Sequence, residues 1–156
     1  MNRRLIVIAA AAAVFALNLF NIGADAHAGQ ATPAEAQAMV QESAAYFEAH
    51  GAQATVDAVN AGGEFARGEL YVFMIDPDGI SVANAGDRSR LGQDTRLMQD
   101  SDGKFYGQEM LERATAEGVW VNYKRLNPAT GQTEPKTSWV RRIHGYVVGC
   151  GIYKSE

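Results

Sequence analysis

An α+β domain, an antiparallel sheet with helices packed on it, is the fold class the sequence predicts. Three observations point there. Helical periodicity dominates the region after Thr32, β-branched and aromatic runs take over from Leu70, and Asp/Pro/Gly turns join those runs as hairpins. The length of 156 residues suits one domain. With 47% hydrophobic and 21% charged residues the composition is that of a folded chain. The net charge of -4 argues against a nucleic-acid partner, which would require a basic face. A single cysteine excludes an internal disulfide framework and a cysteine-based zinc site. No metal or cofactor is expected.

The elements follow in order. Residues 1–28 read as a secretory signal peptide: Arg3 and Arg4, an apolar run from Leu5 to Phe20, then the small-x-small triplets Ala24-Asp25-Ala26 and Ala26-His27-Ala28. The run is short for a membrane span and contains Asn18. Residues 29–156 are then one domain in a periplasmic or extracellular compartment. Thr32-Pro33-Ala34-Glu35 is a helix start, with Thr32 as N-cap, Pro33 in the first turn and Glu35 closing a capping box. Met39, Ser43, Tyr46, Phe47 and His50 lie on one helical face; Gly51 stops the helix, and residues 52–60 form a second short one.

Strands are expected over 70–75 and 80–85, joined by the turn Asp76-Pro77-Asp78-Gly79. A helix is expected over 105–116, a strand over 119–123, a loop over 127–135 and two further strands over 137–143 and 146–153. That order places the helices on one side of the sheet.

Catalytic signatures are missing. No nucleophile–base–orienter set can be assembled, so a non-enzyme is expected. Asp76-x-Asp78-Gly79 and Asp100-x-Asp102-Gly103 are turns rather than calcium loops, lacking the later ligands and the closing Glu. His144, before Gly145, is a hairpin residue. Cys150 reads as a packed strand residue, with an interchain disulfide as the competing reading. What remains is a set of strand aromatics, Tyr71, Phe73, Trp120, Tyr123, Trp139, Tyr146 and Tyr153, with Lys136 at the opening of a strand. By composition alone such a lysine is exposed. Inside an aromatic concavity it would require an anion.

From Pro33 to Tyr153 the chain resembles the single Cache domains of type 2, extracytoplasmic sensors with a PAS-like fold. The resemblance rests on segments in order: His50-Gly51, Phe65, Gly68 to Phe73, Asp76 to Gly79, Leu91-Gly92-Gln93-Asp94, Asp100 to Lys104, Gly118 to Tyr123, Glu134 to Trp139 and Gly149 to Tyr153. It implies about five antiparallel strands beside a long N-terminal helix. It also implies a small-molecule pocket, commonly for small carboxylates, under the loop and helix between the second and third strands. Carried over position by position, the pocket residues are Lys136, Trp139, Tyr123, Trp120, Tyr71 and Phe73, with Asn84 added as a ligand-bonding residue.

The chain departs from the pattern at Asn84, Trp139 and Cys150, so the ligand type does not carry over. The implied function is a stand-alone periplasmic ligand sensor acting with a membrane receptor, kinase or transport partner. An interaction protein of the same fold that has lost its ligand is the alternative. The oligomeric state is not legible.

Overall fold

The first helix, α1 (Pro33–Ala61), starts where the capping box puts it. The Thr32 side chain accepts from the Glu35 amide, and the Glu35 carboxylate accepts from the Thr32 amide at 2.7 Å. The computed structural model of the chain describes residues 30–154, so the expected signal peptide lies outside the described residues. Gly51 does not end the rod. Its φ of 82° and ψ of 174° kink it, and the expected second helix continues from the first. Ala36, Met39, Val40, Ser43, Ala44, Phe47, Thr55 and Val59 form the buried stripe, while His50, expected on that face, is exposed.

The sheet has six strands, all antiparallel: β1 (Ala66–Arg67), β2 (Leu70–Ile75), β3 (Ser81–Asn84), β4 (Val119–Asn127), β5 (Gln132–Ile143) and β6 (Tyr146–Tyr153). Their order is β1-β2-β6-β5-β4, with β3 also paired to β2. The strand beyond the expected five is β1, a two-residue bridge onto Tyr71 and Leu70. Between β3 and β4 run two 3-10 turns, Arg88–Arg90 and Thr95–Leu97, and then helix α2 (Tyr106–Arg113).

Two further expectations need correction. The β4–β5 hairpin is longer than read: β4 runs to Asn127 and β5 begins at Gln132, ahead of Pro135. Pro135 is tolerated because its carbonyl faces the β6 side, where it accepts from the Lys154 amide at 2.9 Å. In an antiparallel strand the nitrogen faces the same way, so the missing N–H removes no bond from β4.

The helices also do not share one side. Leu70, Val72 and Met74 of β2 and Val148, Cys150 and Ile152 of β6 pack on α1. The alternate residues Ile75, Val121, Tyr123, Val140 and Val147 pack with Tyr106, Met110 and Ala114 of the α2 region. Both faces of the strands carry apolar or aromatic residues, so each requires a cover.

Candidate functional site

The α2 face carries the polar chemistry. Lys136 pairs across the sheet with Tyr123 on one side and Tyr153 on the other, so all three point the same way. Because β5 starts early, Lys136 is no strand end: it is 1% exposed. Its Nζ donates to the Tyr71 hydroxyl at 3.1 Å and lies 4.5 Å and 4.2 Å from the centroids of the Tyr71 and Tyr153 rings. Among the described residues it forms no ion pair.

Space for this lysine comes from β6. A Cβ on Gly151 would sit 2.9 Å from Lys136 Cε and 2.3 Å from Ser138 Oγ; one on Gly149 would sit 2.3 Å from the Phe73 ring. Cys150 between them turns to the other face, with its Sγ 4.0 Å from Met39 Sδ. Burial pushes its thiol up to about 11, so it is an inert packed residue.

Around Lys136 the tyrosines are tied down. Tyr123 hydrogen-bonds Ser138 Oγ at 2.9 Å and stacks on Tyr106 at 4.4 Å. Tyr153 donates to the Leu126 carbonyl at 2.8 Å. Burial, reinforced by the neighbouring Tyr71, raises both: Tyr123 strongly, Tyr153 to about 12. Their hydroxyls are neutral groups at physiological pH.

Two guanidiniums that sequence reasoning missed complete the site. Arg125 extends from β4 two residues past Tyr123 and therefore onto the same face. Its side chain is 15% exposed, donates to the Tyr106 hydroxyl at 3.4 Å and meets Asp87 Oδ2 at 2.6 Å. Arg90 reaches the same oxygen at 3.4 Å. Burial opposes the Arg125 charge, but the tyrosine oxygens and Asp87 outweigh it, and its pKa lies above the ordinary value. Burial would likewise raise Asp87. The Ser89 hydroxyl, Arg125, the Ser89 amide and Arg90 together hold it below the usual carboxylate range.

Two adjoining cavities open on these groups. The inner one, about 40 Å3, is lined by Tyr71, Phe73, Asn84, Thr95, Tyr123 and Arg125 among others, with Ile75, Met98 and Met110 as its apolar wall. The outer cleft, about 590 Å3, is bounded by Tyr71, Tyr153, Asp87, Arg90, Tyr106 and Arg125, with the β4–β5 turn. Lys136 lines neither; it stands behind Tyr71 and Tyr153.

Of the residues singled out from sequence, the structure brings Tyr71, Phe73, Asn84 and Tyr123 to the inner cavity, with Lys136 behind them. Trp120 and Trp139 it places elsewhere. They pair with each other across the sheet and pack on the α1 side, 5.3 Å apart. The cause is strand alternation: Trp139 lies three positions from Lys136 and Trp120 three from Tyr123, and an odd offset turns a side chain to the opposite face. Asn84 serves the chain itself, its Oδ1 accepting from the amides of Gly86 and Asp87 at 3.1 Å and 2.7 Å. Arg125 was legible in principle, by continuing the alternation past Tyr123. Arg90, Asp87 and Thr95 lie in irregular sequence with no period to read.

A five-strand antiparallel core, a long N-terminal helix on one face and a tyrosine-rich cavity under a loop and short helix on the other define a PAS-like fold. The chain belongs to the family described as Single Cache domain 2, whose match covers residues 14–156. It is similar to the sensor histidine kinase MctS of Rhizobium johnstonii, at 32% identity over 88 residues. That stretch is 55% of this chain and 19% of the kinase, so the chain spans only a small part of that relative.

Two solved structures share the fold. A methyl-accepting chemotaxis protein from Vibrio parahaemolyticus RIMD 2210633 gives a TM-score of 0.62 at 17% identity, over 77% of this chain and 86% of that one. A Cache chemosensory domain described for carboxylic acid recognition gives 0.61 at 20% identity, over 78% and 92%. No helix among the described residues is long and apolar enough to cross a membrane.

Proposed function

We propose that the chain is an exported sensor domain that binds a small carboxylate and presents its ligand state to a membrane signalling or transport partner. The observation that carries this reading is a charge imbalance. Arg125 and Arg90 share one carboxylate, Asp87, and Lys136, the most buried of the three cations, has no ion-pair partner among the described residues. A cation taken out of water is costly unless an anion or strong acceptor offsets it. A ligand carboxylate beside Arg125 would supply that charge. Tyr71 would donate its O–H, since its oxygen already accepts from Lys136; the lysine thereby acts on the ligand through Tyr71. Phe73, Met98 and Met110 would hold a short alkyl part. Trp120 and Trp139 are left out of this site. The carboxylic-acid description of one structural relative and the sensor-kinase name of a sequence relative agree with it.

A second reading, the same fold with no ligand, is favoured by the small inner volume. A thermal-shift screen of the exported protein against short carboxylates, amino acids and amines separates the two. A ligand that binds only the native state raises the melting temperature, with a stabilisation that grows as the logarithm of its excess over Kd. Shifts with acids alone support the carboxylate reading; no shift with any compound supports the second. Export itself rests on the leader at residues 1–28, and the expected mature N-terminus follows Ala26 or Ala28. N-terminal sequencing of periplasmic protein checks this, and a chain still beginning at Met1 in the membrane pellet refutes it.

A further inference from the structure

The inner cavity, about 40 Å3, has room for a few waters, whereas the outer cleft beside it holds about 590 Å3. Tyr71, Arg90, Tyr106 and Arg125 line both, so the two spaces share a wall. That wall is pinned from the chain segment after β3. Asp87 lines the outer cleft and puts Oδ2 on Arg125 at 2.6 Å and Arg90 at 3.4 Å, while its Oδ1 accepts from the Ser89 amide at 3.1 Å. The backbone is pressed inward at Gly86, where a Cβ would lie 2.4 Å from the Tyr71 ring. The arginine best placed to receive a ligand carboxylate is therefore already seated on a carboxylate of the chain itself. Inside, Thr95, 3% exposed and part of the inner lining, has an Oγ1 with no hydrogen-bond partner among the described residues.

We propose that Asp87 holds the ligand's seat on Arg125: it is an internal carboxylate that closes the inner cavity and that a bound carboxylate displaces. The inference rests on the anion-site reading above and deepens it. Exchange of one carboxylate for another on the same guanidinium leaves little net electrostatic gain, so affinity is set by the alkyl part and by contacts inside the cavity. A neutral isostere such as an amide cannot make the exchange. Displacement also frees the segment that Asp87 organises. The Ser89 amide loses its acceptor on Asp87, and the turn closed by Arg90 N–H on the Asp87 carbonyl loosens. Ligand state is thereby written into a partly exposed stretch, residues 86–92, that a partner can read.

The test is calorimetry with propionate and propionamide on the exported protein, its Asp87→Asn, Asp87→Glu and Arg125→Gln variants, with amide hydrogen exchange over residues 86–92. Removing the competing charge should tighten propionate binding in Asp87→Asn by about three- to tenfold, a modest gain because Asp87 is partly exposed and screened. Asp87→Glu should bind near the wild-type level, and propionamide should bind to none. Propionate should speed exchange at residues 87–91 in the wild type and change it little in Asp87→Asn, where it is already fast. Equal or weaker propionate binding by Asp87→Asn, with binding lost in Arg125→Gln, overturns the role of Asp87 and leaves the anion site standing. Unchanged binding in Arg125→Gln, or none in either wild type or Asp87→Asn, overturns both readings. If Asp87→Asn does not fold, the wild-type exchange data decide alone, and exchange unmoved by saturating propionate refutes the displacement.

Discussion

The two faces of the sheet are made by the same strands and answer different demands. Against α1 the alternate residues are Leu70, Val72, Met74, Val148, Cys150 and Ile152, which meet Met39, Val40 and Phe47 in an apolar layer. Against α2 the residues one step along include Tyr71, Phe73, Ile75, Gly149, Gly151 and Tyr153, with Lys136 beside them, and the layer is completed in part by polar groups and cavities. One face holds the fold, and the other spends part of its packing on a place for something else. The difference teaches that stability and recognition here are separated by a single-residue alternation rather than by distance along the chain.

The separation can be broken most forcefully at Met39, 1% exposed on the α1 side. Met39→Ala should cost about 2–5 kcal/mol in urea unfolding, from lost transfer energy and the cavity left behind. Carboxylate affinity of the folded protein should stay within about twofold, since no cavity lining changes, by the same additivity that separates distant sites. A large loss of affinity would show that the faces are coupled. Lys136→Met should give the reverse pattern. Carboxylate affinity falls about ten- to a hundredfold as Tyr71 loses its charged donor. Unfolding free energy stays level or rises, because an unpaired buried cation is replaced by an apolar chain of similar length. A stability loss above about 2 kcal/mol would mean that the two tyrosine contacts outweigh the cost of burying the charge.

The smallest effect is read by pH. The Cys150 thiol is raised by burial from 9.0 to about 11, so the native state holds its proton more firmly than the unfolded chain. Its contribution is complete below pH 9 and is lost as pH rises towards 11, by about 2 kcal/mol. Cys150→Ala should flatten that part of the pH–stability curve measured in denaturant. Tyr153, raised by burial from 10.0 to about 12, adds a second decline at higher pH that the variant keeps. An identical slope in wild type and Cys150→Ala would remove Cys150 from the packed layer. Slow thiol labelling of the native protein, rapid after denaturation, checks the same placement.

Much of the fold was legible because its signals are local. The Thr32–Glu35 capping box, the Asp76–Gly79 turn and the strand runs at Leu70 and Val119 each encode a boundary within a few residues. The site was less legible because it depends on the pairing. Tyr123 and Lys136 join only once the β4–β5 register is known, and Trp120 and Trp139, equally aromatic, fall on the opposite side by the same register. Arg125 was hidden by a strand read too short, and helices expected on one side proved to cover both. The Asp87, Arg90 and Thr95 contributions come from a stretch held by turns and side-chain bonds, which leave no hydrophobic period in sequence.

The Gly149-Cys150-Gly151 triplet also bears on misfolding. In its native pairing the two glycines receive Phe73, Ser138 and Lys136, and the thiol fills the layer opposite Met39. Slide β6 by one residue and both fits fail together: a sulfur is driven towards a ring or an ammonium stem, and a void opens beneath α1. A hairpin caught in that misalignment has no neighbouring minimum to settle into, so it must unzip and try again. The triplet is in this sense a ruler, and its two blank marks are as informative as its filled one.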